Sequence, residues 1–279
     1  MKITTADLIR KKRAGEKIVM LTCYDFPTAV LEDAAGVDIQ LVGDSVGTNV
    51  LGYADVTKVT ADDMLHHIRA VSRGAKRSFV LGDLPYRSFE TPEAAVQTAG
   101  LFADNGADGV KMEGEEDAIE KVKAVTGAGV PVCAHIGYTP QKLGKAAVQG
   151  KDAARAMQLI DIAGRLEQAG ASILVLELIP DELSAIITRT VSIPTIGIGA
   201  GRSCDGQVQV FHDIAGISPA IFRHAHVFHD VKHAMRLAID SYLSATRNGQ
   251  FPAEANMAHL SETVQNEIAE SLARTTGRV

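Results

Sequence analysis

Residues 172–201 read SILVLELIPDELSAIITRTVSIPTIGIGAG, and they decide the fold. Ser172–Pro180 is a short apolar run interrupted by one acid, Glu177. Asp181–Thr190 has helical spacing, and Pro194–Gly201 is apolar again, ending in glycines. An apolar run, an amphipathic segment and a second apolar run are the pattern of two parallel strands joined by a helical crossover. The runs lack strict apolar–polar alternation, as expected of strands buried on both faces.

The same unit recurs along the chain. Ile18–Asp25, Ile39–Ser45, Ser78–Pro85, Gly109–Gly114, Val130–Gly137 and Gln207–Ile214 complete a set of eight strand candidates. Between them, Thr60 reads as an N-cap, with Asp62 and Asp63 at the positive end of the helix dipole and Met64, Leu65, Ile68 and Val71 as the apolar stripe. Thr91-Pro92 opens another helix and Lys151–Ala169 a third. Glycines at 36, 106, 129 and 170 stand where left-handed C-caps are needed. Eight strands with intervening helices predict a (β/α)8 barrel. The rival, a doubly wound open sheet, lacks its G-x-G-x-x-G after the first strand. From about Asp230 the chain reads as a helical tail, Val231–Thr246 and Thr263–Arg274, beyond what a barrel needs. The expectation is one barrel domain over 1–279 with that tail packed on the barrel or on a neighbouring subunit.

Composition narrows the function classes. The 279 residues are 46% hydrophobic and 22% charged, as in an ordinary globular protein. There are 28 Lys and Arg against 34 Asp and Glu, a net charge of −6. That excludes a general binder of the nucleic-acid backbone, which needs a basic face. Cys23, Cys133 and Cys204 lie far apart with no C-x-x-C, the usage of buried free thiols in a reducing compartment. The run Ile18–Leu21 is too short for a signal-peptide core, and no stretch approaches ~18 apolar residues. A soluble cytoplasmic protein without a membrane partner is expected.

A barrel builds its active site at the C-terminal ends of its strands. The polar residues there are Tyr24 and Asp25, Asp44 and Ser45, Asp83, Lys111 and Glu113, His135, Glu177, the GIGAG glycines at 197–201, and His212 with Asp213. Asp44, Asp83 and Glu113 follow three consecutive strands. Their oxygens could converge on Mg2+ or Mn2+, or else serve as helix caps and rim salt bridges. Lys111 shares a strand face with Glu113. It could bind a carboxylate, stabilise an enolate, form a Schiff base, or simply pair with an acid. Glu177, set in an apolar strand, is expected to have a raised pKa suited to a general base; a buried ion pair is the bland alternative. His135 is either a donor to substrate or a structural histidine. His224, His226, His229 and His233 lack the flanking ligands of a zinc site. GIGAG lacks the rest of either nucleotide motif and reads as a tight turn or a close backbone approach.

These residues sit in a longer pattern. TCYDFPTA at 22–29, GDSVGTNVLGY at 43–53, VTADDMLHHIRAV at 59–71, GDLPYRSF at 82–89, GADGVKMEG at 106–114, PVCAHIGYTPQ at 131–141, LVLELIP at 174–180, IPTIGIGAG at 193–201 and DGQVQVFHD at 205–213 occur in that order. From about Ile3 to Phe251 the chain resembles the ketopantoate hydroxymethyltransferase (3-methyl-2-oxobutanoate hydroxymethyltransferase) family of pantothenate biosynthesis. The resemblance implies a barrel of the phosphoenolpyruvate mutase/isocitrate lyase type, Mg2+, 5,10-methylenetetrahydrofolate as co-substrate and a homodecamer. It implies Asp44, Asp83 and Glu113 as metal ligands. Ser45 and Lys111 would contact the 2-oxo acid together with the two aspartates, and Glu177 would accept the proton. His135 is carried as a substrate-binding candidate. The alternative is a lyase or aldolase of the same superfamily on another 2-oxo acid; the K-K-C-G-H loop typical of such lyases is absent. A degenerate barrel serving as a scaffold is the non-enzyme reading, and the intact set of strand-end charges argues against it. The chain departs from the family at Val46-Gly47-Thr48-Asn49, at Leu84-Pro85-Tyr86, in a shortened Lys142–Gly150 segment and at His224 and His226. No candidate ligand or base is replaced.

Overall fold

The computed structural model describes residues 1–142, 146–218 and 222–276. Positions 143–145 of the Lys142–Gly150 segment lie outside the described residues. The chain divides into two compact units, residues 1–229 and 230–279.

The first unit is a closed barrel of eight parallel strands in sequential order. The strands are β1 (Ile18–Thr22), β2 (Ile39–Val42), β3 (Phe79–Asp83), β4 (Gly109–Glu113), β5 (Val132–Gly137), β6 (Ile173–Glu177), β7 (Thr195–Ile198) and β8 (Gly206–Gln209). The helices are α1 (Thr5–Ala14), α2 (Phe26–Ala35), α3 (Val46–Asn49), α4 (Ala61–Gly74), α5 (Pro92–Asp104), α6 (Ile119–Gly127), α7 (Ala153–Gln168), α8 (Asp181–Thr190) and α9 (Phe211–Ile214). The 172–201 stretch is β6, α8 and β7, with α8 bounded as its spacing predicts.

Two differences from the sequence reading follow from local chemistry. No helix joins β7 to β8; seven residues suffice, with Gly199 and Gly201 in left-handed conformations at φ +62° and +75°. Gly201 is obligatory, since a Cβ there would lie on the Asp181 carboxylate that accepts the Arg202 N–H at 2.9 Å. The Gln207–Ile214 run is not one strand. β8 ends at Gln209, and Phe211–Ile214 turns into α9, which carries His212 and Asp213 off the sheet.

The strands separate two cores, because side chains alternate across a strand. Ile18, Met20, Ile39, Phe79, Leu81, Cys133, Ile173, Val175 and Ile196 fill the barrel together with Leu8 of α1. Val80, Val110, Ala134, Leu174 and Leu176 face outward onto Met64, Ile68, Phe102, Leu159 and Leu183 of the surrounding helices. The inward rows end in polar residues: Phe79, Leu81, Asp83 on β3 and Ile173, Val175, Glu177 on β6. An apolar floor thus carries a polar upper layer. The three cysteines are buried and free. Among the described residues no helix is long and apolar enough to cross a membrane.

The second unit holds α10 (Val231–Arg247) and α11 (Glu262–Thr276). Within it Tyr242 and Phe251 meet edge to face at 5.8 Å.

Candidate active site

A cavity of about 490 Å3 opens above the polar layer. Asp44, Ser45, Asp83, Lys111, Glu113, His135, Glu177 and Asp213 all line it. Asp83 and Lys111 are register partners on β3 and β4, and Lys111 Nζ donates to both Asp83 oxygens, at 2.8 and 2.7 Å. Both side chains are almost fully buried. Burial opposes the Lys111 ammonium, but the charges of Asp83, Asp44 and Glu113 outweigh it and push its pKa up. Burial, with Asp44 adding, raises Asp83 above the usual carboxylate range. Burial likewise pushes Glu113 up to about 8.

Gln141 is the residue the strand-end reading missed. Its backbone N–H donates to Glu113 Oε1 at 2.7 Å, and its side-chain amide donates to Asp44 Oδ2 at 3.0 Å and to the Leu84 carbonyl at 3.1 Å. It stands at the end of PVCAHIGYTPQ, four residues past β5, where only its polar character within a glycine- and proline-bearing loop signals a role.

Glu177 ends β6 at the rim of this layer, its side chain 15% exposed. Its adjacent strand neighbours Leu174 and Leu176 face outward among the helices, while Glu177 faces the cavity. His135 stands between two acids, Nε2 at 3.2 Å from Glu177 Oε2 and Nδ1 at 3.6 Å from Glu113 Oε2, neither contact aligned as a hydrogen bond. Burial and the nearby Lys111 ammonium lower its pKa and keep the imidazole neutral. Ser45 is held by the Tyr24 hydroxyl at 2.8 Å, and burial pushes the Tyr24 phenol up.

Other candidates are engaged elsewhere or in packing. Asp25 caps α2 by accepting the Thr28 N–H at 2.8 Å. His212 packs against Tyr24, ring centroids 5.5 Å apart. His224 lines the cavity but stacks on Phe222, and His226 meets Phe228 edge to face. A second hollow of about 430 Å3 lies beside α1, and its charged residues are largely paired, as in Arg10–Asp7 and Lys11–Asp38.

One residue past Glu177, Leu178 takes a left-handed conformation, φ +48°. For a non-glycine residue this costs roughly 1–2 kcal/mol and persists only where the surroundings enforce it. Here its N–H donates to the Ile198 carbonyl at 2.9 Å and its carbonyl accepts the Gln149 N–H at 2.8 Å.

Among the described residues, no three His, Cys, Asp or Glu side chains stand ready in a ligating arrangement. Lys111 engages both oxygens of Asp83, and Gln141 ties Asp44 to Glu113. The donor set nevertheless fits Mg2+: three hard carboxyl groups face one ammonium, and Glu113 Oε2 is buried with no hydrogen-bond partner. Magnesium keeps several waters and takes few protein carboxylates.

The profile of the family described as ketopantoate hydroxymethyltransferase matches residues 2–254. Relatives named 3-methyl-2-oxobutanoate hydroxymethyltransferase include one from Acetivibrio thermocellus, 44% identical over 96% of this chain and 96% of that protein. One from Clostridium novyi is 43% identical over 96% of this chain and all of its own length. Among solved structures, phosphonopyruvate hydrolase, crystallised with oxalate and Mg2+, aligns over 98% of both chains with a TM-score of 0.62 at 13% identity. 2,3-Dimethylmalate lyase, a PEP mutase/isocitrate lyase superfamily member, aligns over 97% of this chain and all of its own with a TM-score of 0.58 at 14% identity. The structural likenesses establish the barrel type; with the sequence matches, the chain belongs to the ketopantoate hydroxymethyltransferase family.

Proposed function

We propose that the chain transfers a hydroxymethyl group from 5,10-methylenetetrahydrofolate to 3-methyl-2-oxobutanoate, giving 2-dehydropantoate for pantothenate synthesis. The observation that carries the reading is one cavity holding the Glu177 carboxylate on one side and the Lys111–Asp83 pair beside Asp44 and Glu113 on the other. A proton acceptor facing a buried cation is what enolisation of a 2-oxo acid requires.

Asp44, Asp83 and Glu113 would hold Mg2+, which when bound supplies Lewis-acid polarisation of the keto group. The 2-oxo acid lies with its carboxylate toward Ser45 and its keto oxygen toward Lys111. Glu177 takes the proton from C3. The Lys111 ammonium stabilises the charge that grows on the keto oxygen, and its fixed position costs no reorganisation at that moment. C3 then forms a carbon–carbon bond to the one-carbon unit of the folate. One water supplies the hydroxyl, and tetrahydrofolate leaves, so that folate, 2-oxo acid and water balance against two products. Neutral His135, with Nε2 3.2 Å from Glu177 Oε2, adds no charge to the layer.

A Schiff base at Lys111 fits less well, because both Asp83 oxygens accept from Nζ and hold it as an ammonium rather than a nucleophilic amine. Glu177→Gln tests the base: kcat should fall by about 10²–10⁴-fold, with the dissociation constant of 3-methyl-2-oxobutanoate little changed. Near-normal turnover would remove Glu177 from that role.

A further inference from the structure

Along β6 the side chains alternate, with Ile173, Val175 and Glu177 turned into the barrel and Leu174 and Leu176 outward among the helices. Continued extension would send Leu178 outward as well. It does not go there: at φ +48° the chain turns, and Leu178 lines the cavity beside Glu177. Hydrogen bonds at 2.9 Å to Ile198 and 2.8 Å from Gln149 fix both of its backbone polar groups. The room it enters exists because residue 199 is glycine. A Cβ on Gly199 would lie 2.7 Å from Leu178 Cδ2 and 3.2 Å from His224 Cβ. A strained backbone, two locking hydrogen bonds and a glycine that yields its space all serve to hold this apolar side chain in the cavity, one residue from Glu177.

We propose that Leu178 is a specificity-determining residue for the branched end of the 2-oxo acid, its side chain closing the space beyond the C3 substituents. The proposal rests on the function proposed above. If Glu177 takes the C3 proton, the alkyl groups on C3 lie beside it, and the next residue along the chain offers them an apolar surface. Val175, two residues earlier on the same face of β6, and Ile198, the register partner of Glu177 on β7, line the same cavity. The wall thus admits short branched 2-oxo acids and excludes those one or more methylenes longer.

The test compares Leu178→Ala, Leu178→Gly and Leu178→Met with the unsubstituted protein. Glycine adopts the left-handed conformation freely, so that variant keeps the fold if alanine does not. The readout is the rate of C3 proton loss in D2O with Mg2+, followed by proton NMR, for 3-methyl-2-oxobutanoate and for 3-methyl-2-oxopentanoate. The ratio of the longer to the shorter acid should rise about tenfold or more in the alanine and glycine variants, since one methylene in a fitted pocket is worth at least that much, and stay within about threefold in the methionine variant, whose side chain has a similar volume. An unchanged ratio in both small variants, with exchange intact in the unsubstituted protein, overturns the proposal alone. Exchange of neither acid by the unsubstituted protein overturns the function it rests on, and the proposal with it.

Discussion

Glu32 shows what a single buried group does to this fold away from the cavity. It sits on α2 at 4% exposure, and neither carboxyl oxygen has a hydrogen-bond partner. Burial pushes its pKa from 4.5 up to about 8; the Cys23 thiol partly offsets this and the Asp25 charge adds to it. Between those two pH values the folded chain holds a proton that the unfolded chain has released. Stability therefore falls as pH rises through that window, and the full penalty stands above about pH 8, on the order of a few kcal/mol. Glu32→Gln keeps the shape and removes the titration. Its thermal midpoint should exceed that of the unsubstituted protein at pH 8.5 and decline less steeply between pH 5 and pH 8.5, the remaining slope coming from Asp83 and Glu113, which burial also raises. Parallel declines in both proteins would show that Glu32 is not the group responsible.

Helix α4 illustrates an element whose start was written locally. Thr60 accepts the Asp63 N–H at 3.1 Å, and Asp63 accepts the Thr60 N–H at 3.0 Å, a complete capping box. Thr60→Ala should lower stability by about 1 kcal/mol in urea titration, with activity unchanged at saturating substrate. Signals of this kind made α4, α5, α7 and α8 legible, as did the apolar runs for the strands. Helix α1 was not legible as a helix, because only Leu8 of its ten residues is buried and its capping box at Thr4 and Asp7 stands in a charged stretch. Asp83, Lys111, Glu113 and Glu177 were legible because strand ends are fixed by the barrel. Gln141 was not, since its partners Asp44 and Glu113 lie 97 and 28 residues away. Leu178 was not singled out, because a left-handed turn at leucine carries no sequence signal.

The whole barrel depends on the seam between β8 and β1. Gly206 pairs with Ile18 there, and a Cβ on Gly206 would lie 2.4 Å from the Ile18 carbonyl oxygen. Gly206→Ala should force the closing strands apart and cost about 1–3 kcal/mol, seen as a lower thermal midpoint. A midpoint equal to that of the unsubstituted protein would mean that the seam gives without strain. Closure also brings together the ends of β2, β3, β4 and β6, so the chemistry belongs to the closed molecule rather than to any one segment. That chemistry is tested most directly by proton NMR of 3-methyl-2-oxobutanoate in D2O with the purified protein and Mg2+, followed by addition of 5,10-methylenetetrahydrofolate. The predicted result is loss of the C3 proton signal that EDTA abolishes, then appearance of 2-dehydropantoate once the folate is added. Retention of the C3 proton and no 2-dehydropantoate after folate addition would contradict enolisation and transfer in this cavity.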